Sequence, residues 1–250
     1  PKKRIVMSLS IHDKIINHYV TEFILKPKLE KYLDHRNIAT RKNMGSDYGI
    51  KLVKKYLEQL KKYDQVYVLK IDISKYFYHI DHEVLKRMIK NELTISEYKI
   101  INSIIDSTNE YYVYRTILKY QEKNFSLPNY EFGKGLPIGN LTSQFLSIFY
   151  LNKLDYYIIH NLHLKYYVRY MDDFLIFHHD KYYLTECLIK IRHQLNNIYH
   201  LNINENKTKI INTKEGFVFL GYYFKIRNKK TIIKLRKETW NKVQKRIKDS

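Results

Sequence analysis

Two neighbouring carboxylates, Asp172 and Asp173, lie in the stretch Tyr166 to Phe177, YYVRYMDDFLIF, between two apolar, β-prone runs. The pattern predicts strand, tight turn and strand, with both acids at the hairpin tip. Aspartate is a common turn former that also keeps a hairpin tip soluble, and that reading needs no chemistry. The alternative is that two rigidly presented carboxylates bind Mg²⁺, a hard cation that takes oxygen ligands and often retains water and substrate phosphates. A third acid, Asp72, stands inside the nearly continuous apolar run Val66 to Ile73, which predicts a strand covered on both faces. A carboxylate there is unfavourable unless it is paired or bound to a metal. Phe77 falls in the turn after that strand, close to the same acid. The plainer readings are that Asp72 caps the turn and that Phe77 packs in the core.

The elements that must position these residues follow from periodicity. Gly133 to Asp155, GKGLPIGNLTSQFLSIFYLNKLD, starts as a glycine-rich loop able to bring its backbone close to a ligand. It continues as a helix with Leu141, Phe145, Ile148, Phe149 and Leu151 on one face, capped by Thr142 or Ser143. The loop has neither G-x-G-x-x-G spacing nor a P-loop lysine, which sets aside a dinucleotide fold and a P-loop enzyme. Helical spacing recurs over Ile11 to Leu33, Ile50 to Lys62, within Leu93 to Lys123 on Ile100, Ile101, Ile104 and Ile105, and over Asp180 to His200, with Asp81 as an N-cap. Tyr111 to Tyr120 fits strand or helix, and residues 121–134 read as loop. The polar loop Asn37 to Gly49 carries Arg41 and Lys42, placed either to grip a phosphate backbone or simply to be solvated. Asn202 to Thr208 is a polar turn presenting Lys207, Phe217 to Phe224 a strand pair or a strand and bend about Gly221, and residues 231–250 a basic helix anchored by Trp240. Lys2, Lys3 and Arg4 lead into the apolar run Ile5-Val6-Met7, read as a basic opening strand: either a solvated end or a basic finger over a triphosphate. So abrupt a start, and so little for the last helix to pack against, suggest that both termini are cropped.

Charge narrows the partners. Among 250 residues, 45 Lys and Arg face 25 Asp and Glu, a net charge of +20 that points to a polyanion. With no apolar run long enough to span a bilayer, nucleic acid is the better partner than a membrane. The single Cys187 excludes an internal disulfide and a cysteine-built zinc site. Tyrosine numbers 25 against one tryptophan, so not every tyrosine counts as a base-stacking platform.

Taken in order, these stretches resemble the palm of a reverse transcriptase. KIDISKYF is similar to the family's first catalytic motif, GLPIGNLTSQ to its nucleotide loop, YMDD to its hallmark, NENKT to the following lysine turn and FVFLGYYF to the primer-grip hairpin; the match runs from about Lys3 to Phe224. The resemblance implies an α+β right-hand polymerase: an antiparallel palm sheet backed by helices, with fingers and only the start of a thumb. The expected parts are fingers at 1–65, palm at 66–90, a fingers/palm insertion at 91–134, palm with primer grip at 135–225 and thumb from 226 to 250. It implies two Mg²⁺ ions, with Mn²⁺ as an alternative, on Asp72, Asp172, Asp173 and the backbone carbonyl of Ile73. Nucleotide contacts fall on Lys3, Arg4, Phe77 as steric gate against a ribose 2′-hydroxyl, Ile138, Gly139, Gln144 and Lys207. Template and primer contacts fall on Arg41, Tyr170, Met171, Leu220 and Gly221. Template RNA, primer or cDNA and dNTPs are the implied partners, with room for an accessory nucleic-acid-binding protein and none for a membrane; the implied compartment is the cytoplasm of a bacterial or phage-infected cell.

Ile138 before Gly139, and Gln144 after Ser143, replace the Gln-Gly and Ser-Pro of many relatives. This I-G-x-x-x-S-Q form is similar to the enzymes of diversity-generating retroelements, which copy a template RNA with errors at adenines. Group II intron-type and defence-associated enzymes share most of the motifs. A non-catalytic RNA-binding descendant would explain the charge, but not three acids that each weaken polyanion binding.

Overall fold

The alternation of Val68, Lys70 and Asp72 with Tyr67, Leu69 and Ile71 sets two faces on the strand Tyr67–Asp72 (β1), and the fold is built around it. The computed structural model describes residues 6–123 and 130–248. The chain divides into two compact units: Pro1–His35, Ile73–Tyr157 and Arg192–Ile203 form one, and Arg36–Asp72, Ile158–Ile191 and Asn204–Ser250 the other.

The second unit holds the β-structure. β1, β2 (Tyr167–Tyr170), β3 (Asp173–His178) and β4 (Lys209–Asn212) form an antiparallel sheet in the order β2-β3-β1-β4. A second antiparallel sheet follows in chain order: β5 (Phe217–Phe219), β6 (Tyr222–Arg227) and β7 (Lys230–Leu235). Val68, Val168, Leu175 and Phe177 on one face of the first sheet share a core with Leu52, Val53, Tyr56 and Leu57 of the helix Ser46–Leu60, and with Phe217, Phe219 and Phe224 of the second sheet. The Tyr56 hydroxyl donates to the Tyr167 carbonyl at 3.1 Å, satisfying the one polar atom that ring brings inside. On the opposite face Leu69, Ile71, Phe174 and Ile176 are equally buried, which is why β1 reads as an unbroken apolar run.

The first unit is helical. Ser10 caps the helix Ile11–Tyr19, which runs through a π-helical turn at Val20–Leu25, so the predicted helix is interrupted where Thr21 turns its hydroxyl onto the Asn17 carbonyl. Thr94 and Glu97 form a capping box on Ile95–Asp106. Asp81 caps His82–Ile89 as expected, and Tyr111–Gln121 resolves as helix.

Three expectations need correction. Val6 and Met7 are irregular rather than strand: the Met7 amide donates to the Ile138 carbonyl, one bond and not a ladder. Neither Thr142 nor Ser143 caps the helix Leu141–Tyr150; the chain enters it from extended Asn140, and the Thr142 hydroxyl instead donates to Asn17. Residues 230–235 are strand, because Asn228 and Lys229 both adopt positive φ and fold the β-branched run Thr231-Ile232-Ile233 back onto β6; the helix starts only at Lys237.

Candidate active site

At one end the apolar face of the first sheet turns polar. Asp72 is the direct cross-strand partner of Asp173, and Lys70 lies two residues back on the same face. Tyr170 pairs with Asp173, leaving Met171 and Asp172 as a two-residue hairpin loop, so all three acids belong to one sheet end. Met171 sits at φ +55°, a conformation unfavourable for a bulky side chain, and strain of this kind collects at functional turns. Fully buried Arg169 holds the turn by donating from Nη1 to the Met171 carbonyl at 3.0 Å, with its guanidinium 5.8 Å from the centre of the Phe174 ring.

Lysines pair with two of the three acids. Lys207 Nζ contacts both Asp72 oxygens at 2.8 and 3.0 Å, and Asn204 donates to Asp72 Oδ1 at 3.1 Å. Lys70 Nζ lies 3.1 Å from Asp173 Oδ2 and 3.1 Å from the Val218 carbonyl of β5, joining an acid to the neighbouring sheet. Asp173 Oδ1 is buried and makes no hydrogen bond among the described residues. Burial pushes the Asp173 carboxyl up to about 6; Lys70 pulls it down, while Asp172 and Asp72 push it further up. Acids crowded in this way, one with an orphan oxygen and two with ammonium groups against them, are a hard-oxygen donor set suited to a divalent cation. As they stand, no three His, Cys, Asp or Glu side chains among the described residues are gathered closely enough to hold a metal ion.

Other expected site residues of this unit are placed as follows. Leu220 and Gly221 form the β5–β6 turn, both at positive φ. Arg41 donates to the Asn37 carbonyl at 3.0 Å, so one of its donors fastens its own loop.

Phe77, Ile73, Ile138, Gly139 and Gln144 belong to the first unit. Ile73 is buried and bridged to Ile203. Phe77, half-buried and edge-on to Tyr76, lies in the short helix Tyr76–His79, and its carbonyl accepts the Leu136 amide at 2.8 Å. The glycine loop is thereby laced to the turn after β1: the Gly135 amide donates to the Ile80 carbonyl at 2.7 Å, and His82 Nε2 lies 2.6 Å from the Gly135 carbonyl. Gly135, at φ +88°, leaves no space for a Cβ, which would stand 2.4 Å from Tyr130 and 3.0 Å from the Tyr78 carbonyl. Gly139 is exposed, and Ile138 and Gln144 are half-buried. Lys3 and Arg4 lie outside the described residues.

Sequence reasoning missed Lys70, Asn204 and Arg169. Lys70 carries a readable signal, a lysine in an apolar strand two residues from a suspected ligand. Arg169, in YYVRYMDD, carries a similar one, a cation in an apolar strand three residues before Asp172.

Residues 1–224 match the family model described as reverse transcriptase (RNA-dependent DNA polymerase). No curated protein matches the chain. Among solved structures it is similar to apo telomerase from Candida tropicalis truncated from its C-terminal domain, at TM-score 0.59 and 14% identity over 94% of this chain and 49% of that one. It is also similar to apo telomerase from Candida tropicalis, at TM-score 0.61 and 13% identity over 86% of this chain and 40% of that one. Telomerase from Candida albicans with the TWJ fragment of telomeric RNA gives TM-score 0.52 and 14% identity over 90% of this chain and 37% of that one. The chain therefore spans about half or less of each of these proteins, and the likeness is one of fold. No helix among the described residues is long and apolar enough to cross a membrane. With a family match over nearly the whole chain and an α+β fold like that of these telomerase structures, the chain belongs to the reverse transcriptase (RNA-dependent DNA polymerase) family.

Proposed function

We propose that the protein extends a DNA primer on an RNA template, and that it is the error-prone polymerase of a diversity-generating retroelement. The observation that carries the polymerase reading is the pairing of Asp72 with Asp173, next to Asp172, at the polar end of an otherwise apolar sheet face. Asp72, Asp172 and Asp173, with the Ile73 carbonyl, would hold two Mg²⁺ ions, which when bound activate the primer 3′-hydroxyl and neutralise charge on the triphosphate. The chain's own residues do the rest. Lys207 holds a protonated amine against Asp72 and can transfer its contact to a phosphate oxygen. The Phe77 ring discriminates the sugar, and the Leu220–Gly221 turn supports the primer. The +20 charge supplies the affinity for a nucleic-acid backbone.

Primer extension on an RNA template, with dNTPs or rNTPs, tests this reading. Wild type should use dNTPs only, and Phe77→Val should raise rNTP incorporation about ten- to a hundredfold, the range expected when a steric contact of this size is removed. Unchanged sugar selection would remove Phe77 from that role, and no extension with either substrate would refute the polymerase reading.

The retroelement reading rests on Ile138 and Gln144. An isoleucine at 138 offers no amide to hydrogen-bond a base pair, so pairing geometry is policed less closely. Ile138→Gln should lower misincorporation opposite template adenine in single-nucleotide extension assays; an unchanged error spectrum would sink the idea.

A further inference from the structure

The second unit carries a second concentration of positive charge at the far end of β1 from the acids. A cleft of about 390 Å³, the size of a ligand pocket, opens where Val66 leads into β1 and the β6–β7 turn folds back. Its floor is closed: Val66, Thr213 and Ile226 are buried, with the Thr213 amide on the Val66 carbonyl at 2.9 Å and the Ile226 amide on the Thr213 carbonyl at 3.0 Å. Its rim is cationic. Lys214, Lys225, Arg227 and Lys229 line it, and none of these side chains makes an ion pair among the described residues. Lys61 also lines it but is engaged by Glu58, and Asp64 is the one acid there. The Tyr63 ring, 38% exposed, stands at the same rim, stacked on His179 with centroids 4.3 Å apart and with Lys62 Nζ over it at 5.1 Å, so it adds a further cation to the rim.

Solvated surface lysines need no concave floor, and a protein with four unpaired cations around one cleft keeps them close against mutual repulsion. Cations gathered along one groove are the chemistry that holds single-stranded nucleic acid by tracking its phosphates. β1 spans six residues at about 3.3 Å each, so the cleft lies roughly 20 Å from Asp72, too far to be filled by the nucleotide or primer terminus at the acids.

We propose that this cleft is an anchoring site for single-stranded RNA, gripping the template-bearing molecule by its backbone outside the segment being copied. The proposal rests on the polymerase reading only in taking RNA as the polyanion. The test is binding of a fluorescent single-stranded RNA over a salt series. K214Q/R227Q/K229Q should lower the steepness of log K against log salt by about 2, since each backbone cation contributes about 0.7 for a single strand. At 0.1 M salt the affinity should fall about ten- to a hundredfold. K90Q/K99Q/K119Q removes the same charge from exposed positions elsewhere and should change the slope by far less. Equal effects from the two triple variants would reduce the cleft to general charge and overturn the proposal, as would an unchanged slope. Melting curves establish that both variants fold, and extension of a short primer–template by the cleft variant should keep the wild-type rate. Binding needs no catalysis, so an inactive protein that still shows the cleft-specific slope would refute the polymerase reading alone.

Discussion

Asp173→Asn should abolish primer extension and, in metal-free buffer above pH 6, make the protein melt higher than wild type. Loss of activity follows from removing one of three crowded carboxylates. Gain of stability follows from the sign of its shift. The Asp173 carboxyl stands at about 6 against an ordinary 3.8, so the folded protein holds its proton more tightly than the unfolded chain. Between those values the native state binds more protons, and stability falls as pH rises; above pH 6 the full penalty, about 3 kcal/mol at 1.4 kcal/mol per pH unit, is in place. Asparagine carries no such penalty and can still accept from Lys70. Its advantage should amount to a few degrees at neutral pH and vanish below about pH 4, where both states of wild type are protonated. Added Mg²⁺ should raise the wild-type midpoint and leave the variant unmoved. A variant that melts no higher at neutral pH would mean that the Lys70 attraction outweighs burial and repulsion.

Lys70→Met should lower extension about ten- to a hundredfold near neutral pH and move the acid limb of the activity profile upward. Lys70 pulls Asp173 down both by its charge and by its hydrogen bond, and its side chain is only 20% exposed. Without it, burial and the two neighbouring acids act unopposed, so at any given pH a smaller fraction of Asp173 is ionised. Activity should partly recover toward pH 9. The same ammonium donates to the Val218 carbonyl, so the KM for primer should rise as well, and Lys70→Arg should restore more of the pH profile than of KM. A profile that falls uniformly with no displacement would show that Lys70 acts only as a strut.

The acids were legible in the sequence because their neighbours are not polar. Asp72 stands out in VYVLKIDIS, and YMDD stands out between apolar strands. The same contrast marks Lys70, but its role as the partner of Asp173 shows only once the cross-strand neighbour of the residue two places on is known. β7 was missed because KTIIKL is short and basic, and its strand character depends on the turn at Asn228 and Lys229, two residues that take positive φ without being glycine. The cap of Leu141–Tyr150 was misplaced because Thr142 serves a partner 125 residues away, which no local pattern reveals.

The order of strands also sets when the acids meet. β2 and β3 are joined by two residues, and a hairpin of that kind closes on microsecond time scales. β1 reaches β3 across roughly 100 residues and β4 across roughly 140, so its docking waits on long loop closures that local contacts do not help. A refolding chain therefore presents Asp172 and Asp173 well before Asp72 arrives between its neighbours, and the three-acid arrangement is among the last features the folding protein completes.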